Sequence, residues 1–558
     1  MLKLQNYISF LILFSIVAFI AACSNTPNNV SISLNQGSCA LPSQYSSTQL
    51  TNLESTYESY YTLLINNPST ITPYCTAVTI QNNNSGLNAN NTQIINSGLQ
   101  ISTTLPGSTT STTATLYDTV AAGVTISGFT QNINNVVLFD PNNCATTTGA
   151  NVQTLATGGG SCTFYLEILN ESNPVGVYPY YISYNYTNGN QNYNVNATLN
   201  QRTYLYGGDQ GTSGLYYVST NLIPATISSE SIAASWQNGL DGSPSTGNVT
   251  YVIENAYGEV YFVSSLASSS EIYSYNGIST TPIGTSLAAK VTSLAFDSNS
   301  NIYAATSGNG MWVYNIESSN ATWQQMTDSN NNITSASNLI GLKGFNDTIY
   351  AFSESQVYNC TVNGTTSESC SIPSSTGQPN GFFTNSADVD SSGNLYLGES
   401  DNNTLGISSL NSSFSTWNNF SESPTLTEST GSRIGGVKYT NSTLYFGVVG
   451  VNESSVYNCT TSITFNCGPK TSSSNAAITG NATTLTTDGV GNLYVAGNNL
   501  NSNDFGSSTS TTGAFLLFGT YSASSVGTWQ QISNTTINNI SVPTNVSSVT
   551  VASMLTSY

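Results

Sequence analysis

The chain has 558 residues, so two or more cores, or one large repeat architecture, are expected. Only 6% of residues are charged, and the formal net charge is −20, with seven lysines and arginines and no histidine. That balance excludes a basic patch for nucleic acid or anionic lipid. The missing imidazole excludes a Ser-His-Asp triad, a Cys-His pair and His-ligated metal. Asn, Ser, Thr, Gly and Tyr fill the polar surface, and recurrent Tyr with short apolar runs separates the chain from a disordered one.

Lys3 precedes the uncharged, mostly apolar run from Ile8 to Ala22. Fifteen such residues fall short of a ~30 Å hydrocarbon core, so 1–22 reads as an export signal and not as a spanning helix. Ile20-Ala21-Ala22-Cys23 resembles the bacterial lipobox. That resemblance implies an acylated Cys23 and a membrane partner reached through the lipid anchor. Ser24 after the cysteine, in place of Asp, implies the outer membrane, with the body periplasmic or surface-exposed.

Setting Cys23 aside leaves Cys39, Cys75, Cys144, Cys162, Cys360, Cys370, Cys459 and Cys467, an even number in an exported chain. Disulfides are the expected state. No CxxC spacing and no histidine occur, which argues against zinc, and neither a metal nor a cofactor is expected. Among the three pairings open to the first four, Cys39–Cys75 and Cys144–Cys162 are favoured.

Residues 23–38 are polar and read as a tether. Within 39–74, Leu50, Leu53, Tyr57, Tyr60, Tyr61 and Leu64 follow helical spacing, Ser46 and Gln49 stand as a capping box, and Pro68 ends the segment. From 75 to 199 the pattern changes to short strands between turn-rich stretches, which predicts a β-sandwich. Asn143-Cys144 through Leu155 and Gly159-Gly160-Ser161-Cys162-Thr163-Phe164 resembles Hydin-type immunoglobulin-like domains of bacterial envelopes. The resemblance implies a binding or spacer module and carries over no catalytic residue.

Residues 200–558 repeat. An apolar-Tyr-apolar motif centres on Tyr261, Tyr303, Tyr350, Tyr396, Tyr445 and Tyr494, at steps of 42, 47, 46, 49 and 49 residues. Short strands flank each motif, and a further one often opens on Trp, as at Trp236, Trp323, Trp417 and Trp529. Four short strands per period in the forties predict β-propeller blades. Three units carry Asp297…Asn301, Asp390…Asn394 and Asp488…Asn492 before the tyrosine, while the two between carry Cys360…Cys370 and Cys459…Cys467, so a two-blade unit duplicated. The cysteines of each such unit are expected to join its third and outer strands. Asp390-Ser391-Ser392-Gly393-Asn394-Leu395-Tyr396 resembles NHL-type propellers, a likeness that implies architecture and not activity. Thr203 to Tyr206, Leu215 to Val218 and Trp236 form an incomplete unit lacking an inner strand, and Ser547 to Ser553 has the inner-strand form. Seven blades closed by the C-terminal strand are therefore expected, with six as the alternative. The fold class is all-β: a sandwich preceded by a short helix, then the propeller.

No catalytic residue is expected. Ser524 stands where a sialidase Asp-box would carry Asp, and only Arg202 and Arg433 exist to clamp a substrate carboxylate. Asp388-Val389-Asp390 and Glu399-Ser400-Asp401 are the nominees for a two-carboxylate glycosidase, and turn or strand-end roles are favoured for them. The expected function is a noncatalytic envelope lipoprotein whose propeller binds protein or glycan through Tyr-, Asn-, Ser- and Thr-rich loops. The alternative is a glycan-active enzyme with paired carboxylates in the propeller mouth. Clustered acids in one deep pocket mark the enzyme; scattered acids under a tyrosine-lined top face mark the binder.

Overall fold

The computed structural model describes strand segments from Val30 onward, most of residues 248–502, and the strands Gly513–Phe518, Trp529–Asn534 and Val546–Ser557. Cys23, Cys39, Cys144 and the expected helix lie outside the described residues, where every regular element is a strand.

Six blades follow one another, each formed of consecutive antiparallel strands. The first comprises Asn248–Glu254, Val260–Ser265, Ser270–Tyr275 and Thr280–Pro282. The inner strands of the other five are Val291–Phe296, Gly341–Phe345, Phe382–Val389, Arg433–Thr440 and Ile478–Thr487. The tyrosine motif is the second strand of each blade. Because neighbouring blades cover both its faces, it reads as a continuous apolar run and not as an alternation. Ile302–Thr306 is buried throughout, whereas the third strand Met311–Tyr314 alternates between buried and half-buried. All six motif tyrosines are buried, so they are core and not binding surface.

The turn chemistry recurs in the three Asp-Asn blades. Asn301, Asn394 and Asn492 donate backbone N–H to Oδ1 of Asp297, Asp390 and Asp488, each at 2.9 Å. Each asparagine amide donates to the other carboxylate oxygen at 2.7–2.8 Å. The motif tyrosine hydroxyl donates to that same oxygen at 3.3, 3.1 and 2.8 Å. A buried carboxylate thus ties a turn to a phenol between blades, a cost of burial offset by several donors. Gly393 takes φ +84° in the middle turn, with the phenyl of Phe345 3.0 Å from where a Cβ would stand.

In the other two blades Cys360 bonds Cys370 and Cys459 bonds Cys467, each pair directly opposite across the third and fourth strands as expected. Cys162 is also disulfide-bonded.

Six such blades stand where seven were expected. The strands foreseen for a seventh join a nine-stranded sheet instead, because Gln191–Asp209 is 19 residues long and outruns one blade. It pairs with Gly176–Asn188 along its first part and with Gly214–Val218 along its last, and Val546–Ser557 pairs with it from Leu199 to Asp209. This strand runs through position 199/200, where the sequence reading divides sandwich from propeller. The strands before it distribute between that sheet and a four-stranded one. Val30–Gln36, read as tether, is a strand paired with Cys75–Asn82; its alternation Val30, Ile32, Leu34 is the period-2 signal that the surrounding polarity masked.

Candidate functional site

Register places equivalent residues around the propeller axis. The inner-strand residues paired with the six motif tyrosines are Ile253, Ala295, Lys343, Asp388, Lys438 and Thr486. Thr550 pairs with Tyr206 in the same way on the C-terminal strand. Lys343, Asp388 and Lys438 are therefore one layer on three successive blades. They line a polar axial cavity of about 180 Å³ whose walls come from seven inner-type strands.

A bulge interrupts these strands at a common point, opposite the gap between the second and third residues after the tyrosine: Thr250, Thr292, Gly435, Thr483 and Ser547 occupy it. Hydroxyls at or beside it reach the next blade's backbone. Thr292 donates to the Leu339 carbonyl at 2.9 Å, Ser386 to Gly435 at 2.6 Å, Thr483 to Val546 at 2.8 Å and Ser548 to Val252 at 3.1 Å. Bulges free backbone and re-aim side chains, which is why short hydroxyl residues serve here.

Asp388 is the electrostatic centre of the cavity. Lys343 Nζ lies 2.5 Å from Oδ1 and Lys438 Nζ 3.6 Å from Oδ2, and the Tyr439 N–H donates to Oδ2 at 2.8 Å. Burial alone would raise this carboxyl's pKa; the two ammonium groups and the hydrogen bonds outweigh it and hold it below the ordinary value. Glu254 ends the first inner strand, and its buried Oε2 accepts no hydrogen bond. Burial pushes it up to about 8, against the smaller opposing pull of Lys438 and Lys343, so it is neutral at pH 7.

The cavity opens into a recess of about 810 Å³ lined by Asn248, Ser265, Lys290, Thr250, Thr292 and Asn385, of which the last three also border the cavity. Amides, hydroxyls and the Lys290 ammonium share this mouth with the apolar side chains of Leu266, Ala267, Val291 and Ile340. No tyrosine lines this mouth among the described residues, and the six motif tyrosines are buried in packing between blades.

Of the nominated acids whose side chains are described, only Asp388 reaches the axis. Asp390 closes its turn and Glu399 accepts the Ser408 hydroxyl at 2.8 Å. Sequence reasoning missed Glu254, Lys343 and Lys438. The available signal was a charged residue seven or eight positions before a motif tyrosine, in strands otherwise built of apolar and hydroxyl residues. No cluster of metal-ligating side chains occurs among the described residues.

These sheets make the chain a β-propeller protein. No family model matches the sequence, and no curated protein is detectably similar to it. Solved structures similar in fold include a protein from Lactobacillus plantarum, 12% identical over 63% of this chain and 99% of that one, with a TM-score of 0.41. Another is the extracellular domain of a hybrid two-component system from B. thetaiotaomicron, 13% identical over 52% of this chain and 37% of that one, TM-score 0.35. Virginiamycin B lyase from Staphylococcus aureus is 10% identical over 50% of this chain and 94% of that one, TM-score 0.32.

Proposed function

We propose that the protein is a noncatalytic lipoprotein, anchored to the bacterial outer membrane through Cys23, whose propeller binds a glycan or protein at the mouth of its axial cavity. The recess beside Asn385 carries this reading: about 810 Å³ is the size of a small-ligand cleft, and its amides and hydroxyls, set among Leu266, Val291 and Ile340, match the hydroxyls and C–H faces of a sugar. The immunoglobulin-like strands before residue 200 serve as the spacer between lipid and propeller. We also take the strand Val546–Ser557, with the end of Gln191–Asp209, Gly214–Val218 and Trp236–Asn238, as a seventh blade. In its support, Thr483 and Ser548 link it to both neighbouring inner strands.

A glycan array probed with the chain from Ser24 tests the binding reading. Retention of defined oligosaccharides without new reducing ends supports it; no retained glycan, or release of reducing sugar, opposes it. Cys23→Ser tests the anchor, since the variant is expected to leave the membrane fraction and the wild type to incorporate labelled palmitate. The enzyme alternative draws on one observation, a raised Glu254 one residue past the cavity-lining Ile253 and a lowered Asp388 in the cavity itself, two carboxyls whose environments push them apart. Against it, Lys343 holds Oδ1 of Asp388 at 2.5 Å and the Tyr439 N–H donates to Oδ2 at 2.8 Å, so both oxygens are engaged.

A further inference from the structure

Six lysines and arginines remain once Lys3 is removed with the signal, against 27 acidic residues. Two of the six, Lys343 and Lys438, line the axial cavity; a third, Lys290, lines its mouth just before an inner strand, and a fourth, Arg433, opens another inner strand. In so acidic a chain this concentration needs a cause.

Neutralising Asp388 is not a sufficient cause, because one ammonium does that. Lys343 makes the close contact at 2.5 Å, while Lys438 stands off at 3.6 Å, beyond hydrogen-bond distance. Among the described residues Lys438 has no other partner, and its side chain is 29% exposed, toward the cavity it lines. Glu254 supplies no second counter-charge at neutral pH. Two cations and one anion leave an excess positive charge between protein walls, where screening is weaker than in bulk solvent and electrostatic pull is stronger.

We infer that the axial cavity is an oxyanion site, in which a carboxylate or phosphate group seats against the Lys343 and Lys438 ammonium groups beside the hydroxyls of Thr486 and Thr550. A cavity of about 180 Å³ holds a few water volumes, enough for one such group and too little for a sugar chain. The anion is either free or the acidic end of a ligand lying in the mouth. The site does not depend on the natural ligand being a glycan. Lys290 and Arg433 stand at the strand starts, where they attract an incoming anion and repel cations.

Titration calorimetry of the chain from Ser24 with inorganic phosphate, glucuronate and glucose tests this. Saturable binding of phosphate or of glucuronate, with none of glucose, is expected; phosphate alone identifies a free oxyanion and glucuronate alone a sugar acid. Lys438→Met should weaken binding about tenfold or more with melting nearly unchanged, since the Lys343–Asp388 pair remains. Lys343→Met provides a second variant if the first fails to fold. Glucuronate affinity should fall between pH 7 and 9 as Glu254 ionises and competes for the lysines, and should hold in Glu254→Gln. The other groups around this cavity are Lys343, Lys438, Asp388 and Tyr251; burial raises the Tyr251 phenol, and the Asp388 carboxyl is held below its ordinary value. Absence of saturable binding by either anion, or wild-type affinity in both lysine variants, overturns the inference. Glycan binding at the mouth with no anion binding would remove this site and leave the proposed function standing.

Discussion

Removing residues 546–558 should lower the melting temperature by more than about 10 °C and expose residues 199–209 to protease. The strand Val546–Ser557 supplies a long antiparallel ladder to Gln191–Asp209 and buries Val546, Val549 and Val551. At roughly 1.5–3 kcal/mol per buried valine, the apolar loss alone is on the order of 5 kcal/mol, before any ladder bond is counted. The deletion also strips the Val546 carbonyl from Thr483 and the Ser548 hydroxyl from Val252, and it leaves Gln191–Asp209 with an open edge from Leu199 to Asp209. A second closure survives it: Ser231–Ala234 lies parallel to Trp529–Asn534 at the rim of the last blade. The expected species is therefore a destabilised ring and not an unfolded chain. Differential scanning calorimetry with limited proteolysis reads both effects, and a truncated protein melting within about 2 °C of the full chain would contradict ring closure through the C-terminal strand.

Asp388→Ala should cost about 1–3 kcal/mol, because it leaves a backbone donor unsatisfied and two lysines, 31% and 29% exposed, without their counter-ion. The alanine would leave Lys343 and Lys438 facing one another and the Tyr439 N–H without its acceptor. The pH dependence fixes the mechanism. Asp388 has a folded pKa below its unfolded value, so its contribution is complete above the unfolded pKa and is lost as pH falls through the folded one. The gap between wild type and variant should be constant from about pH 5 to 8 and close below about pH 4. Glu254 runs the other way: its pKa is raised to about 8, so any stability it lends is present below about pH 4.5 and lost as pH climbs toward 8. A wild-type/Asp388→Ala gap that persists undiminished at pH 2 would show that packing, and not charge, holds the layer together.

The repeat was legible because its central strands are buried on two faces, which forces the same apolar-Tyr-apolar run at every turn of the ring. The two cysteine pairs were legible for the same reason, since register places Cys360 opposite Cys370 and Cys459 opposite Cys467. The axial site was not. Lys343, Asp388 and Lys438 are 45 and 50 residues apart and meet only because each pairs with its own blade's tyrosine. Pairing between distant strands is the step that a local pattern does not contain. Asp388 was noticed only beside its neighbour Asp390, whose role is an ordinary turn. The closing blade is not set apart as a sheet of its own, because one strand, Gln191–Asp209, serves two sheet neighbourhoods at once. The tyrosines were legible as a motif, yet composition alone could not tell a packed ring from a displayed one.

The most direct test of the mouth as the binding site is the same glycan array probed with Asn385→Trp. Asn385 is exposed at the bulge of its inner strand and borders both the recess and the axial cavity. An indole there fills the opening without entering the packed interior. Loss of the wild-type glycan signal with unchanged melting is the predicted result; an Asn385→Trp protein that retains the full signal would contradict binding at the mouth.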